Sequence, residues 1–216
     1  MVTTFEEVDM KILLIGATGM VGSRIGGEAR RRGHEVTGVT RSGSEGTAKA
    51  EAADAAALAA LAAGHDAAVL SVPPPRDGSE TLGPLLAITR GVLDGLRRAG
   101  VRRLIVVGGA GSLEAAPGVR LVDTPEFPDI YKSEALAAAE QLATIRAEAG
   151  DLDWTFISPA AVIAPGERTG TFRLGGDGLL TDAEGNSAIS AEDYAVALVD
   201  ELEKGNAVQR RISVAY

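Results

Sequence analysis

The chain has 216 residues, 45% of them hydrophobic, and a formal charge of −9, which is enough apolar material for one sizeable core with no need of a second domain. It contains no cysteine, which excludes disulfides, thiolate catalysis and cysteine metal sites and fits a reducing cytoplasm. The acidic balance argues against a nucleic-acid surface or an anionic membrane. No run of 18 apolar residues suggests a span, and no cluster of histidines and carboxylates suggests a metal.

The opening MVTTFEEVD is polar and acidic rather than a signal peptide, so residues 1–9 read as a flexible tail before a single domain over 10–216. Residues 11–15 predict a buried strand, 20–32 its crossover helix and 35–39 the next strand. A weak strand near 48–52 and an alanine-rich helix over 55–63 fill a third unit. Strands follow at 67–72, 104–108, 154–158 and 211–215, separated by helices at 80–99, 133–149 and 191–204. This alternation predicts an α/β fold, a Rossmann-type doubly wound parallel sheet in one domain. Ser190 and Asp193 have the spacing of an N-cap and its N3 partner for the last helix. Arg97, Arg98, Arg102 and Arg103 fall at a helix C-terminus and the next turn, where cations stay solvated. His34 and His65 precede strands, at the amino edge of the sheet, and read as surface turn residues. Two non-helical segments, 112–130 and 159–190, each begin where a strand ends at the carboxyl edge; their length marks them as substrate-facing.

Between the first strand and its helix stands GATGMVG, residues 16–22. Given 27 glycines in the chain, GxxGxxG arises by chance roughly 0.4 times. Its position carries the argument: a strand turning on glycines into a helix presents free amides and a positive dipole end to a pyrophosphate. Gly16, Thr18, Gly19, Met20, Val21 and Gly22 are therefore assigned to a dinucleotide. The end of the second strand meets the adenosine ribose, where an acidic residue would bind the 2′-hydroxyl of NAD. The sequence there is VTRSGS, which places Arg41 to pair with a 2′-phosphate and Ser42 or Ser44 to add hydrogen bonds. NADP(H) is expected over NAD(H). Glu51 and Ala52 end the third strand beside the adenine, and Ser71, Val72 and Pro73 end the fourth. Gly108 and Gly109 open GGAGS, whose small residues permit close approach of the nicotinamide, with the Ser112 hydroxyl nearby. Pro159 and Ala160, after the sixth strand, complete the cofactor-facing set.

GATGMVG, the strand ending SVPPP, GGAGS, and the stretch from Ser158 that contains PGERTG and ISAEDYA resemble the atypical short-chain dehydrogenase/reductases. Within these the resemblance is to NmrA-like NAD(P)-binding proteins of the NADH-flavin reductase group, and more distantly to biliverdin reductase B/flavin reductase. It runs from Met10 over nearly the whole chain. It implies a cytoplasmic NAD(P)H-dependent reductase of flavin or quinone-like acceptors, with FMN or FAD as substrate rather than prosthetic group.

The chain departs from the usual YxxxK pair, because Tyr131 is followed four residues later by Ala135 and Tyr194 by Leu198. Ketone reduction leaves an alkoxide that needs a proton donor, whereas a flavin or quinone spreads the charge over its ring, so the departure favours planar acceptors. Ser112 and Tyr131 are the candidate catalytic residues. Ser112, Arg168 and Phe172 are the candidate substrate contacts, with Arg168 receiving a flavin phosphate or pairing with Glu167 or Asp177, and Phe172 or Tyr131 stacking on a ring. The alternative is a non-catalytic NmrA-like redox sensor that binds NADP(H) and reports to a protein partner.

Overall fold

The chain alternates strand and helix through most of its length: β1 (Lys11–Ile15), α1 (Met20–Arg31), β2 (Glu35–Thr40), β3 (Thr47–Lys49), α2 (Ala55–Ala62), β4 (Ala67–Leu70), α3 (Leu82–Ala99) and β5 (Arg103–Val107). A hairpin, β6 (Glu114–Ala116) and β7 (Val119–Arg120), and a 3-10 turn (Leu121–Asp123) precede α4 (Asp129–Glu148) and β8 (Asp153–Ser158). Then come β9 (Val162–Ala164), β10 (Arg173–Gly175), β11 (Ala188–Ser190), α5 (Ala191–Lys204) and β12 (Arg210–Ala215). This computed structural model describes residues 9–44, 46–75 and 79–216. Residues 1–8 of the expected tail lie outside the described residues.

Eight strands form the main sheet in the order β10-β12-β8-β5-β4-β1-β2-β3. All pair in parallel except β10, which adds antiparallel to the β12 edge. Successive strand side chains point to opposite faces, so β1 sends Leu13 and Ile15 into one apolar layer and Ile12 and Leu14 into the other. The first layer packs under α2, α3 and α4 through Leu58, Leu93, Leu96, Leu142 and Ile145. The second packs under α1 and α5 through Ile25, Leu198 and Leu202. The order reverses at β1, from which the chain winds first toward β3 and then back through β4, so the crevice beside β1 is the topological switch point.

Several expectations are corrected. The third strand ends at Lys49 rather than at 52, because the chain turns there and sends Ala50 and Ala52 into the core. The fourth helix begins at Asp129, four residues earlier than its apolar spacing suggests, since Pro128 supplies an extended N-cap. The segments 112–130 and 159–190 are not free of regular structure: they hold β6 and β7, and β9, β10 and β11. His34 is no surface residue. It is 6% exposed, its Nε2 lies 3.0 Å from a Glu203 carboxylate oxygen, and its Nδ1 accepts from the Met10 amide. Arg103 likewise leaves the solvated basic cluster, turning inward to donate to Glu201, Thr155 and the Asp153 carbonyl.

Candidate functional site

Two of the three motif glycines are required by contact. Gly16 has φ +89°, and a Cβ there would lie 2.2 Å from the Ser71 carbonyl oxygen, because the chain leaves β1 directly against the end of β4. A Cβ on Gly22 would lie 2.1 Å from the Gly16 carbonyl oxygen, so only a bare backbone lets α1 start this close to β1. Gly19 is exposed, and it N-caps α1 without any side-chain cap. The first intrahelical bond runs from Ser23 N to the Gly19 carbonyl at 2.9 Å, which leaves the amides of Met20, Val21 and Gly22 without a helical acceptor. The first turn of α1 carries no acidic residue. The positive end of the helix therefore opens to solvent beside exposed Thr18, Gly19 and Met20, an arrangement suited to a pyrophosphate. Val21 instead packs toward the core.

Beside it, the turn after β2 is tied by hydroxyls. Thr40 Oγ1 accepts from Gly43 N at 3.1 Å and Ser44 N at 3.4 Å and lies 2.9 Å from Thr47 Oγ1. Arg41 and Ser42 are exposed on this turn, and Arg41 has no ion-pair partner among the described residues. With Thr18, Thr40 and Glu51 they line an open cleft of about 440 Å³. Glu51 and Arg41 thus bring opposite charges to one cleft. Ala52, expected to face it too, is 7% exposed and packed in the core.

Farther along the carboxyl edge, Ser71 is buried and its amide donates to the Ile15 carbonyl at 2.8 Å, Val72 packs against the core, and Pro73 is exposed. The smallness of Gly108 answers to a protein ring rather than a ligand, since a Cβ there would lie 2.0 Å from the Phe156 ring. A Cβ on Gly109 would meet Ala138 at 3.2 Å. Pro159 and Ala160 are buried at the end of β8. Next to them, the Ser158 hydroxyl is buried without a hydrogen-bond partner among the described residues.

The expected reacting-end residues do not converge. Ser112 is held by buried Arg211, whose Nη1 donates to the Ser112 carbonyl at 3.0 Å and to its Oγ at 2.9 Å. Arg211 also donates to Asp177; burial opposes that carboxylate's charge, but the bond to Arg211 keeps its pKa below the ordinary value. Tyr131 is 56% exposed in the first turn of α4, and Phe172 is partly buried against the α1 and α5 layer. Tyr194 is fully buried and donates to the Ile157 carbonyl at 2.7 Å, with burial raising its pKa far above the ordinary value.

Arg168 pairs with neither Glu167 nor Asp177. It reaches Glu28 on α1 at 2.8 and 2.9 Å, and Glu28 also takes bonds from Arg31 and Arg32. The bond to Arg168 leads the lowering of the Glu28 pKa to well below the carboxylate range, against the effect of burial. PGERTG and ISAEDYA prove to be two halves of one joint. Ser190 Oγ accepts from Asp193 N at 2.9 Å and donates to the Glu167 carbonyl at 2.7 Å. Glu192 accepts from Gly166 N at 2.7 Å and Arg24 Nε at 2.6 Å. The Asp193 carboxylate does not return to the Ser190 amide as a capping box would; it accepts from Gly170 N, Thr169 Oγ1 and Tyr216 OH, while Ser190 N donates to Tyr216 OH. The residues that sequence reasoning missed here are Thr40, Thr47 and Arg211. A threonine closing a strand ahead of R-S-G-S is the signal that could have found the first pair.

A family model described as NAD(P)H-binding matches residues 16–205. The "uncharacterized protein YwnB" of Bacillus subtilis (strain 168) is 39% identical over 211 residues, which is 95% of this chain and 98% of the relative. A crystal structure described as a "putative exported protein" from Burkholderia pseudomallei is 49% identical with a TM-score of 0.88, over 96% of this chain and 100% of the other. One described as a "putative NADH-flavin reductase" from Streptococcus pneumoniae TIGR4 is 36% identical with a TM-score of 0.80, over 95% and 99% of the two chains.

Proposed function

We propose that this chain, which belongs to the NAD(P)H-binding family, is a cytoplasmic NADPH-dependent oxidoreductase acting on a flavin or quinone-like planar acceptor. The observation that carries the reading is an exposed Arg41, without an ion-pair partner among the described residues, set with Ser42 and Thr18 in one cleft beside an uncapped, anion-ready helix end. The group fits the residues present. Gly16 and Gly22 let α1 start close against β1, the amides of Met20, Val21 and Gly22 would donate to the pyrophosphate, and Arg41 with Ser42 would take the 2′-phosphate. A bound nicotinamide cofactor supplies the hydride.

The chain's own contribution is binding and orientation. Tyr194 already donates its proton to the Ile157 carbonyl, Tyr131 faces solvent, and neither has a lysine four residues on. A ketone would need a proton donor, a role for which neither tyrosine is placed, whereas a delocalised acceptor takes its proton from solvent, leaving positioning as the main work of the protein. The likeness to the Streptococcus pneumoniae structure supports the flavin end of that class. The test follows NADPH oxidation at saturating protein with FMN, FAD and quinones. Acceleration with any of them is expected, and none with all three would overturn the reading. Tight NADPH binding without turnover would favour a cofactor sensor that reports to a protein partner.

A further inference from the structure

The turn that carries Arg41 is held by a closed circuit of protons. Thr47 Oγ1 has one proton, and its bond to the Ser44 carbonyl at 2.8 Å uses it. The 2.9 Å contact between Thr40 Oγ1 and Thr47 Oγ1 must then be donated by Thr40. The Ser44 hydroxyl, 3.3 Å from Thr47 Oγ1, donates as well and fills the second lone pair of that oxygen. Thr40 Oγ1, having given its proton, accepts from the amides of Gly43 and Ser44 with both of its lone pairs. Both threonine hydroxyls are thereby fully used. The backbone supports the same shape: Ala50 N donates to the Thr40 carbonyl at 3.1 Å and Thr47 N to the Ser44 carbonyl at 2.9 Å, while Gly43 turns at φ +64° with Lys49 directly behind it.

We infer that Thr40, through Thr47, is a positioning residue for cofactor choice, fixing the 41–44 turn in the shape that presents Arg41 and Ser42 together to a 2′-phosphate. This rests on the NADPH reading above. An arginine on a free exposed loop must be ordered when it binds, which offsets part of what its hydrogen bonds contribute. Here the ordering is done in advance by two side chains other than Arg41 and Ser42. The turn lies at the surface, so water can satisfy the released amides of Gly43 and Ser44 if the hydroxyl is removed, and the sheet beneath keeps its own bonds.

The experiment is fluorescence titration of NADPH and NADH against the full chain and its Thr40→Val, Thr40→Ser, Thr47→Val and Arg41→Ala variants, with thermal melting to confirm folding. Thr40→Val is expected to weaken NADPH by roughly 3- to 10-fold, the range of one ordinary hydrogen bond, while NADH changes less than about 2-fold. Thr40→Ser should restore NADPH affinity, and Thr47→Val should act in the same direction as Thr40→Val and stands in for it if that variant fails to fold. If Arg41→Ala loses NADPH selectively and the threonine variants do not, or if they weaken both cofactors equally, the positioning role is overturned and the NADPH reading stands. If Arg41→Ala weakens neither or both alike, the NADPH reading falls and the positioning role falls with it.

Discussion

At the scale of single residues, selectivity turns on which polar groups are already occupied. Arg41 is exposed and has no ion-pair partner among the described residues, while Arg168, Arg211 and Arg103 are each committed to a carboxylate. Arg41→Ala should therefore weaken NADPH by about 1.5 to 3 kcal/mol and leave NADH nearly unchanged, as read from paired titrations. Tyr194 tests the absence of a proton donor. Tyr194→Phe removes a buried hydroxyl whose acceptor, the Ile157 carbonyl, keeps its bond from Gly108 N. A stability loss of about 1 kcal/mol with turnover retained is expected; turnover lost at unchanged cofactor affinity would make this tyrosine chemically active after all.

At the scale of elements, the glycine turn is a packing device before it is a ligand loop. Gly22 sets how closely α1 meets β1, and an alanine there drives its methyl into the Gly16 carbonyl, so α1 must shift outward. Gly22→Ala is expected to cost about 1 to 3 kcal/mol in urea unfolding and to weaken both cofactors together, since the amides move with the helix. That common loss separates it from Arg41→Ala. The joint of 165–170 with α5 works at the same scale. Gly166, Glu167, Thr169 and Gly170 are bound by the start of α5, and Arg168 by α1, so this part of the 159–190 segment is anchored to the two helices that cover one face of the sheet.

Across the whole molecule four carboxylates with some burial share one bias. Glu28, Asp177, Asp193 and Asp200 all bind protons less readily when folded, Glu28 through Arg168 foremost and the others through hydrogen bonds that outweigh their burial. Groups whose pKa falls on folding contribute stability that is complete above their unfolded values, 4.5 for Glu28 and 3.8 for an aspartate, and that is lost as pH falls toward the folded values. The protein should lose stability progressively below about pH 4.5. Glu28→Gln, which takes a carboxylate from Arg31, Arg32 and Arg168, should cost about 1 to 3 kcal/mol near neutral pH, and its deficit against wild type should narrow in urea melts taken below that pH. A deficit independent of pH would mean that Glu28 acts by packing alone. The order of elements, the parallel sheet and the glycine turn were legible in the sequence by itself, because strand burial, helical periodicity and a strand-to-helix turn are local patterns, and Arg41 was legible because its place follows from the end of β2. Tertiary structure alone decided that Arg168 serves Glu28, that Ser112 serves Arg211, that Gly108 answers to Phe156 and that β10 adds an eighth strand. Each of those contacts joins residues far apart in the chain, and which polar partner a side chain finds depends on distances that exist only once the layers are packed.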